Sequence, residues 1–236
     1  KNYGVDLSWE KAKYSINKGL WGTSIGGEET LTSEKGLPEN AFPSQLTKTG
    51  KEQVTLTFEK GELIAVNGNI QAPEKNIEVL ENIASPYAIG RDIHVGDTIV
   101  GIKGRVGFEA AAALITIKAH HLLEKHTLTK WQLQHKEYIA NFYGMHLHEG
   151  QYLDPVMRDM EAFLSSSQEK VSGDVMVTLQ PYHFSLDGII SKNDLMCSKF
   201  GSYGEMNTQW TAAEAKGFIK INGNQNKIYQ QIHATS

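Results

Sequence analysis

The stretch Gly101-Ile-Lys-Gly-Arg-Val-Gly-Phe-Glu-Ala-Ala-Ala-Ala-Leu-Ile-Thr-Ile117 decides how the rest of the chain is read. Just before and into it, Thr98 to Ile102 is β-branched and apolar apart from Gly101, the composition of a strand end. Glycines fall at 101, 104 and 107, and from Ala110 to Ile117 no residue is charged. A helix so poor in polar positions is buried on nearly all sides. The expectation is a strand feeding a tight glycine turn that opens a core helix. The first N–H groups of such a helix have no partner within it and point at whatever lies in front. Lys103, Arg105 and Gly107 beside them would suit a carboxylate or phosphate. The spacing is neither G-x-G-x-x-G nor a P-loop, so a plain strand-to-helix turn is the competing reading.

Outward from this stretch, 236 residues at 40% hydrophobic content allow one large domain or two small ones. A net charge of −4, with no basic stripe, gives no electrostatic footprint for nucleic acid. Cys197 is the single cysteine, which rules out an internal disulfide and fits a reducing compartment. No apolar run reaches the roughly 18 residues of a membrane span, and Lys1-Asn-Tyr-Gly has no apolar signal region. A cytoplasmic protein is expected. With Lys1 in first place, the chain is expected to be a piece of something longer.

Residues 1–50 show little regular pattern, with glycines at 19, 22, 26 and 27 and prolines at 38 and 43. Ser8 to Lys18 could hold a short helix; the rest reads as an irregular arm. Val54 to Phe58 alternates with period two and Leu63 to Val66 returns after Glu59-Lys-Gly-Glu62, predicting a hairpin. Pro73 opens a helix with Ile77, Leu80 and Ile83 inward, ending before Pro86. Ile93 to Ile102 is extended. The core helix then runs to about His126. Thr129-Lys-Trp-Gln132 is a capping box for a second helix with Trp131, Ile139 and Phe142 inward. Asp154-Pro155 caps a third, with Val156, Met160, Phe163 and Leu164 inward. Val175 to Leu179 and Tyr182 to Ile190 form a second hairpin. Thr211-Ala-Ala-Glu214 opens a terminal helix whose Phe218, Ile221, Ile228 and Ile232 make a narrow seven-residue seam. Strands and helices are segregated, so the class is α+β: a mostly antiparallel sheet packed with helices, an irregular N-terminal arm and a long C-terminal helix.

Local chemistry is thin. His120 and His121 point about 100° apart on a helix and do not share an ion easily. His146, His148 and Glu149 could ligate a metal only if extended, and they end a helical pattern, so no metal is expected. Cys197 lacks the surroundings of a nucleophile, and G-x-S-x-G is absent. Ser15 and Ser24 flank an aromatic- and glycine-rich loop and could orient a small polar ligand or cap turns.

Several segments, in order, resemble argininosuccinate synthase: Trp9 to Ser24, Val54 to Gly68, Gly90-Arg-Asp-Ile-His, Gly101-Ile-Lys-Gly-Arg-Val-Gly-Phe-Glu, Ala119-His-His-Leu-Leu-Glu, Glu149-Gly-Gln-Tyr-Leu-Asp-Pro-Val-Met-Arg, and Asp187-Gly with the helical tail. That family joins citrulline to aspartate at the expense of ATP, through an adenylated citrulline. The resemblance implies the C-terminal synthetase part without the nucleotide-binding domain, whose Ser-Gly-Gly-Leu-Asp-Thr-Ser loop does not occur here. It implies an arm over 1–50, a synthetase domain over 51–210 and an oligomerisation helix over 211–236. ATP with magnesium would be held by the missing domain, citrulline and aspartate are the implied substrates, and a homo-oligomer, dimer or tetramer, is the implied assembly. By position Ser15 and Ser24 match the family's citrulline-contacting serines. Gly96 and Phe108 stand where the family has a Glu and a Tyr that also contact citrulline, with Asp97 next to the first as a candidate replacement. A chain that joins nothing to nothing, a free-standing amino-acid-binding or oligomerisation module, is the alternative.

Overall fold

The computed structural model describes residues 13–201, 203–206 and 208–234. In chain order the strands are β1 (Tyr14–Gly19), β2 (Gly22–Gly27), β3 (Glu52–Glu59), β4 (Glu62–Val66), β5 (Asn69–Ile70), β6 (Arg91–Asp97), β7 (Lys103–Glu109), β8 (Gly173–Gln180) and β9 (His183–Ile190). The helices are α1 (Pro73–Ala84), α2 (Ala111–Thr127), α3 (Lys130–His148), α4 (Pro155–Gln168), α5 (Ala212–Asn222) and α6 (Asn224–His233). The chain divides into two units, Lys1–Asp194 and Leu195–Ser236.

The first unit holds two antiparallel sheets, not one. One has the order β5-β4-β3-β8-β9, the other β1-β2-β7-β6. In the five-stranded sheet the period-two alternation of β3 and β8 turns Val54, Leu56, Phe58, Val175, Val177 and Leu179 to one side. Against them pack Ile77, Leu80 and Ala84 of α1 and Ala111, Ala112, Ile115, Ala119 and Leu123 of α2. The alanine run lets α2 approach closely, while Ile117, placed on the buried stretch by composition, is exposed.

The opening stretch folds differently from its sequence expectation. Thr98 to Ile102 is not a strand end but the turn of the β6–β7 hairpin: Gly101 N–H donates to the Thr98 carbonyl at 2.8 Å, and Gly101 takes φ +81. The glycine-rich residues are the strand. Gly107 is tolerated in mid-strand because Leu37 packs over it, in the space where a Cβ would stand. The helix begins only at Ala111.

The arm is also ordered where it is described. Tyr14 to Lys18, part of the expected helix, pairs with β2 as a hairpin; residues 8–12 lie outside the described residues. Residues 28–47 run across one face of the four-stranded sheet. Glu109 there, only 5% exposed, accepts from Ser44 N–H and Ser44 Oγ, and Arg91 pairs with Glu39 at 2.6 Å.

Two helical faces differ from the periodic reading. α3 buries none of its residues, and Trp131 and Phe142 are exposed. α4 turns Met157 and Ser167 inward, leaving Val156 and Phe163 at the surface. The second unit's terminal helix is two helices, α5 and α6, which meet at Gly223 (φ −80, ψ −5), the C-cap of the first and the N-cap of the second. Phe218, Ile221, Ile228 and Ile232 are all exposed.

Candidate functional site

Strand alternation sorts the site residues onto the two faces of the β1-β2-β7-β6 sheet. Asn17, Ser24, Phe108 and Asp92 form one cross-strand row through the pairs Asn17↔Ser24, Ser24↔Phe108 and Asp92↔Phe108. Ser15 pairs with Gly26, His94 with Val106 and Gly96 with Gly104, and each of the six lies two or four residues along its strand from a member of that row. Ser15, Ser24, Gly96 and Phe108 therefore share the face that residues 28–47 leave open. Ser24 and Phe108 are direct neighbours there.

Asp97, Lys103, Arg105 and Gly107 belong to the opposite face. Asp97 and Lys103 are Cα partners with an ion pair at 2.5 Å. The Asp97 carboxylate thus turns away from the face that carries Gly96. Arg105 donates to the carbonyls of Glu29, at 3.0 Å, and Thr32, fastening the 28–47 segment. The start of α2 is where an anion was expected, and an anion from the chain itself is there: Ala112 N–H donates to the Glu81 carboxylate of α1 at 2.9 Å. A side-chain carboxylate at a helix N-terminus satisfies both the free N–H and the helix dipole. Lys103 and Arg105 take no part in it.

His94 was not singled out from the sequence. Its ring lies over Gly96, with Nε2 2.8 Å from where a Cβ would stand, and meets Phe108 edge-on, centroids 6.1 Å apart at 86°. The signal was available as spacing: in a strand, residues 94 and 96 share a face, and a glycine at 96 leaves room for its neighbour.

A cleft of about 780 Å³ opens over this spot. The sheet supplies His94, Gly96, Asp97, Gly104 and Val106, the hairpin turn supplies Thr98, Ile99 and Val100, and the end of α3 supplies Met145, His148 and the C-cap residue Glu149. His146 Nδ1 is bonded instead to the Phe142 carbonyl at 2.9 Å, so the H-x-H pair does not converge. Among the described residues no group of three His, Cys, Asp or Glu is placed to hold a metal ion.

On the far side of α2, buried Glu124 accepts from Lys136 of α3 at 2.9 Å and Gln168 of α4 at 2.8 Å, with His120 and His121 within 4 Å. Burial pushes its pKa up, yet His120, Lys136 and Gln168 together hold it below the usual carboxylate value. Burial holds His120 below the ordinary histidine value, partly opposed by Glu124. This cluster ties three helices together and lies off the open face.

The family model of the arginosuccinate synthase C-terminal domain matches residues 14–229, from the first strand of the open-faced sheet into the last helix. This chain belongs to the argininosuccinate synthase family. It is 32% identical over 233 residues to an argininosuccinate synthase of Xanthomonas campestris, covering 98% of this chain and 58% of that protein. It is 35% identical over 220 residues to one of Dictyoglomus turgidum (93% and 55%) and 30% over 233 residues to one of Methanocaldococcus jannaschii (98% and 58%). The chain thus spans somewhat more than half the length of these argininosuccinate synthases. The α+β class agrees with the expectation from sequence, and no described helix is long and apolar enough to cross a membrane.

Proposed function

We propose that this chain is the citrulline-binding and assembly part of a cytoplasmic carbon–nitrogen ligase that joins citrulline to aspartate, with ATP cleaved to AMP and pyrophosphate. The observation that supports it is the open sheet face, which gathers Ser15, Ser24, Gly96 and Phe108, the positions that the family resemblance connects with citrulline. Chemistry of this kind depends on holding the reacting groups in place and on charge stabilisation, not on a protein nucleophile. The hydroxyls of Ser15 and Ser24 can donate to a ureido oxygen and accept from its N–H groups, and the Phe108 ring gives the ligand an apolar floor.

The residues present do not fit an ATP triphosphate. The Ser-Gly-Gly-Leu-Asp-Thr-Ser loop is absent from the sequence, and the α2 N-terminus is already capped by Glu81. ATP with magnesium belongs, in this reading, to the portion of the relatives that the chain does not span. The stripe Phe218, Ile221, Ile228 and Ile232 supports self-association as a dimer or tetramer, because exposed apolar residues in a row mark a contact surface.

The test is direct. The purified 236-residue chain, given ATP, citrulline and aspartate, is expected to form no AMP; AMP formation by the chain alone would overturn the division of labour proposed here.

A further inference from the structure

A second cavity, of about 430 Å³, lies between the start of β6, one face of α2 and the β8–β9 turn. Arg91 lines it from β6, Leu114 and Lys118, one helical turn apart, from α2, and Tyr182, His183 and Phe184 from the turn and β9. It is not on the open face of the four-stranded sheet. Asp92 belongs to the open-face row, whereas Arg91 pairs with Glu109 and its guanidinium bonds Glu39 and Ser44 of the segment over the other face. Ile89, Leu114, Phe184 and Leu186 make most of the wall apolar. The charged side chains that line it, Arg91 and Lys118, are both cationic; no Asp or Glu lines it. The His183 imidazole stands beside them, its ring stacked on Phe184 with centroids 6.3 Å apart at 26°. An apolar cavity of a few hundred Å³ with a few polar groups of one kind is the usual form of a small-molecule site.

The turn that closes the cavity is built against local preference. Among the described residues, Lys60, Asn67, Ala88 and Tyr182 take positive φ without being glycine. Lys60 and Asn67 each precede a positive-φ glycine in a hairpin turn, where that conformation is ordinary. Ala88 and Tyr182 both line this cavity, and Tyr182 N–H donates to the Tyr87 carbonyl at 2.7 Å, tying the two segments together. Pro181-Tyr182 is a two-residue turn between the partners Gln180 and His183, with φ +62 at its second position. Glycine or asparagine usually fills that position. A bulky residue held there is strained, and such strain is concentrated at functional sites and ligand clamps. What the tyrosine adds is its ring, 5.9 Å from the Arg91 guanidinium.

We infer that this cavity binds a small organic carboxylate with a flat apolar body, the body lying against Tyr182, Phe184 and Leu114 and the carboxylate accepting from Lys118 and His183. One ammonium and one imidazole N–H match the oxygens of a single carboxylate. A phosphate is a poorer match. The Arg91 Nη groups are taken by Glu39 and Ser44, and its Nε is buried without an acceptor, so no guanidinium fork is open to a dianion. Arg91 contributes positive charge to the wall and no direct bond. The inference does not depend on the reading of the chain as the citrulline-binding part.

The test is a nuclear magnetic resonance titration of the 236-residue chain with millimolar benzoate, repeated with benzamide, its neutral isostere, and with phenyl phosphate. Saturable shifts of the Leu114, Lys118, His183 and Phe184 signals are expected with benzoate, and binding about tenfold weaker with benzamide. Lys118→Gln is expected to weaken benzoate about tenfold and to leave benzamide unchanged. Tyr182→Gly relieves the turn and removes the ring. It is expected to weaken benzoate about fivefold while the urea midpoint holds or rises. A fall of the midpoint together with binding would show that the tyrosine serves the fold, and would overturn its role at a ligand. Benzamide binding as tightly as benzoate, phenyl phosphate binding more tightly, or no saturable shift at these residues would each overturn the carboxylate site.

Discussion

Gly90 illustrates how much of the site depends on single atoms. It precedes β6, adopts φ +80, and a Cβ there would stand 2.6 Å from the Ala110 carbonyl carbon and 2.7 Å from the Ala111 nitrogen. Both are backbone atoms at the α2 N-terminus and cannot move without moving the helix. Gly90→Ala is expected to cost at least about 2 kcal/mol, whereas Gly68→Ala, with φ +77 but open space around it, is expected to cost about 1 kcal/mol. Urea unfolding of the two variants checks the difference, and equal costs would contradict it. At the ligand, Ser15→Ala and Ser24→Ala in a complete ligase are expected to raise the citrulline KM while ATP binding stays nearly unchanged; equal loss for both substrates would mean that the serines support the fold alone. Much at this scale was legible. Thr129 with Gln132, Asp154 before Pro155, and Thr211 with Glu214 cap their helices as read, because capping is a local interaction. His94 was not legible as a site residue, since its position depends on the face it shares with Gly96.

At the scale of elements the largest departure is the opening stretch. Glycines at 101, 104 and 107 read as a turn because glycine is rare in strands. Only Gly101 is in the turn; Gly107 answers to Leu37, 70 residues away in sequence, a contact no local pattern reveals. Glu124 is a similar case: a carboxylate near a helix end reads as solvated, yet it is fully buried and bridges α2, α3 and α4. Glu124→Ala would leave Lys136 beside an uncompensated gap and is expected to cost about 3 kcal/mol, measured as a fall in the urea midpoint. The pH dependence follows from the same cluster. His120 has its pKa lowered by burial from the ordinary 6.5, so the folded state favours the neutral ring. That contribution is complete above pH 6.5 and is lost as pH falls below it. Glu124, held below its ordinary 4.5, loses its contribution at still lower pH. Both act in one direction: stability is expected to decline from pH 7 toward pH 5 through His120, and further below pH 4.5. His120→Gln is expected to flatten the first decline; an unchanged slope would contradict the assignment.

For the whole molecule, the α+β class was legible because strands and helices cluster along the chain, but the split into two sheets was not. The four-stranded sheet joins β1 and β2 to β6 and β7 across the intervening β3, β4, β5 and α1, and such long-range pairing leaves no mark on local periodicity. The seam on the C-terminal helices was legible as apolar, and so was Gly223, a poor helix former at the point where α5 gives way to α6. If that seam carries assembly, the intact chain is expected to scatter light as a dimer or tetramer, and a chain ended at Gly217 as a monomer or an aggregate; a monomeric mass for the intact chain would contradict it. The most direct measurement of the central claim is argininosuccinate formation after fusing this chain behind the part of the Xanthomonas campestris synthase that it does not match. The expected result is ATP-, citrulline- and aspartate-dependent product from the fusion; a folded fusion that binds ATP and citrulline yet makes neither AMP nor argininosuccinate would contradict it.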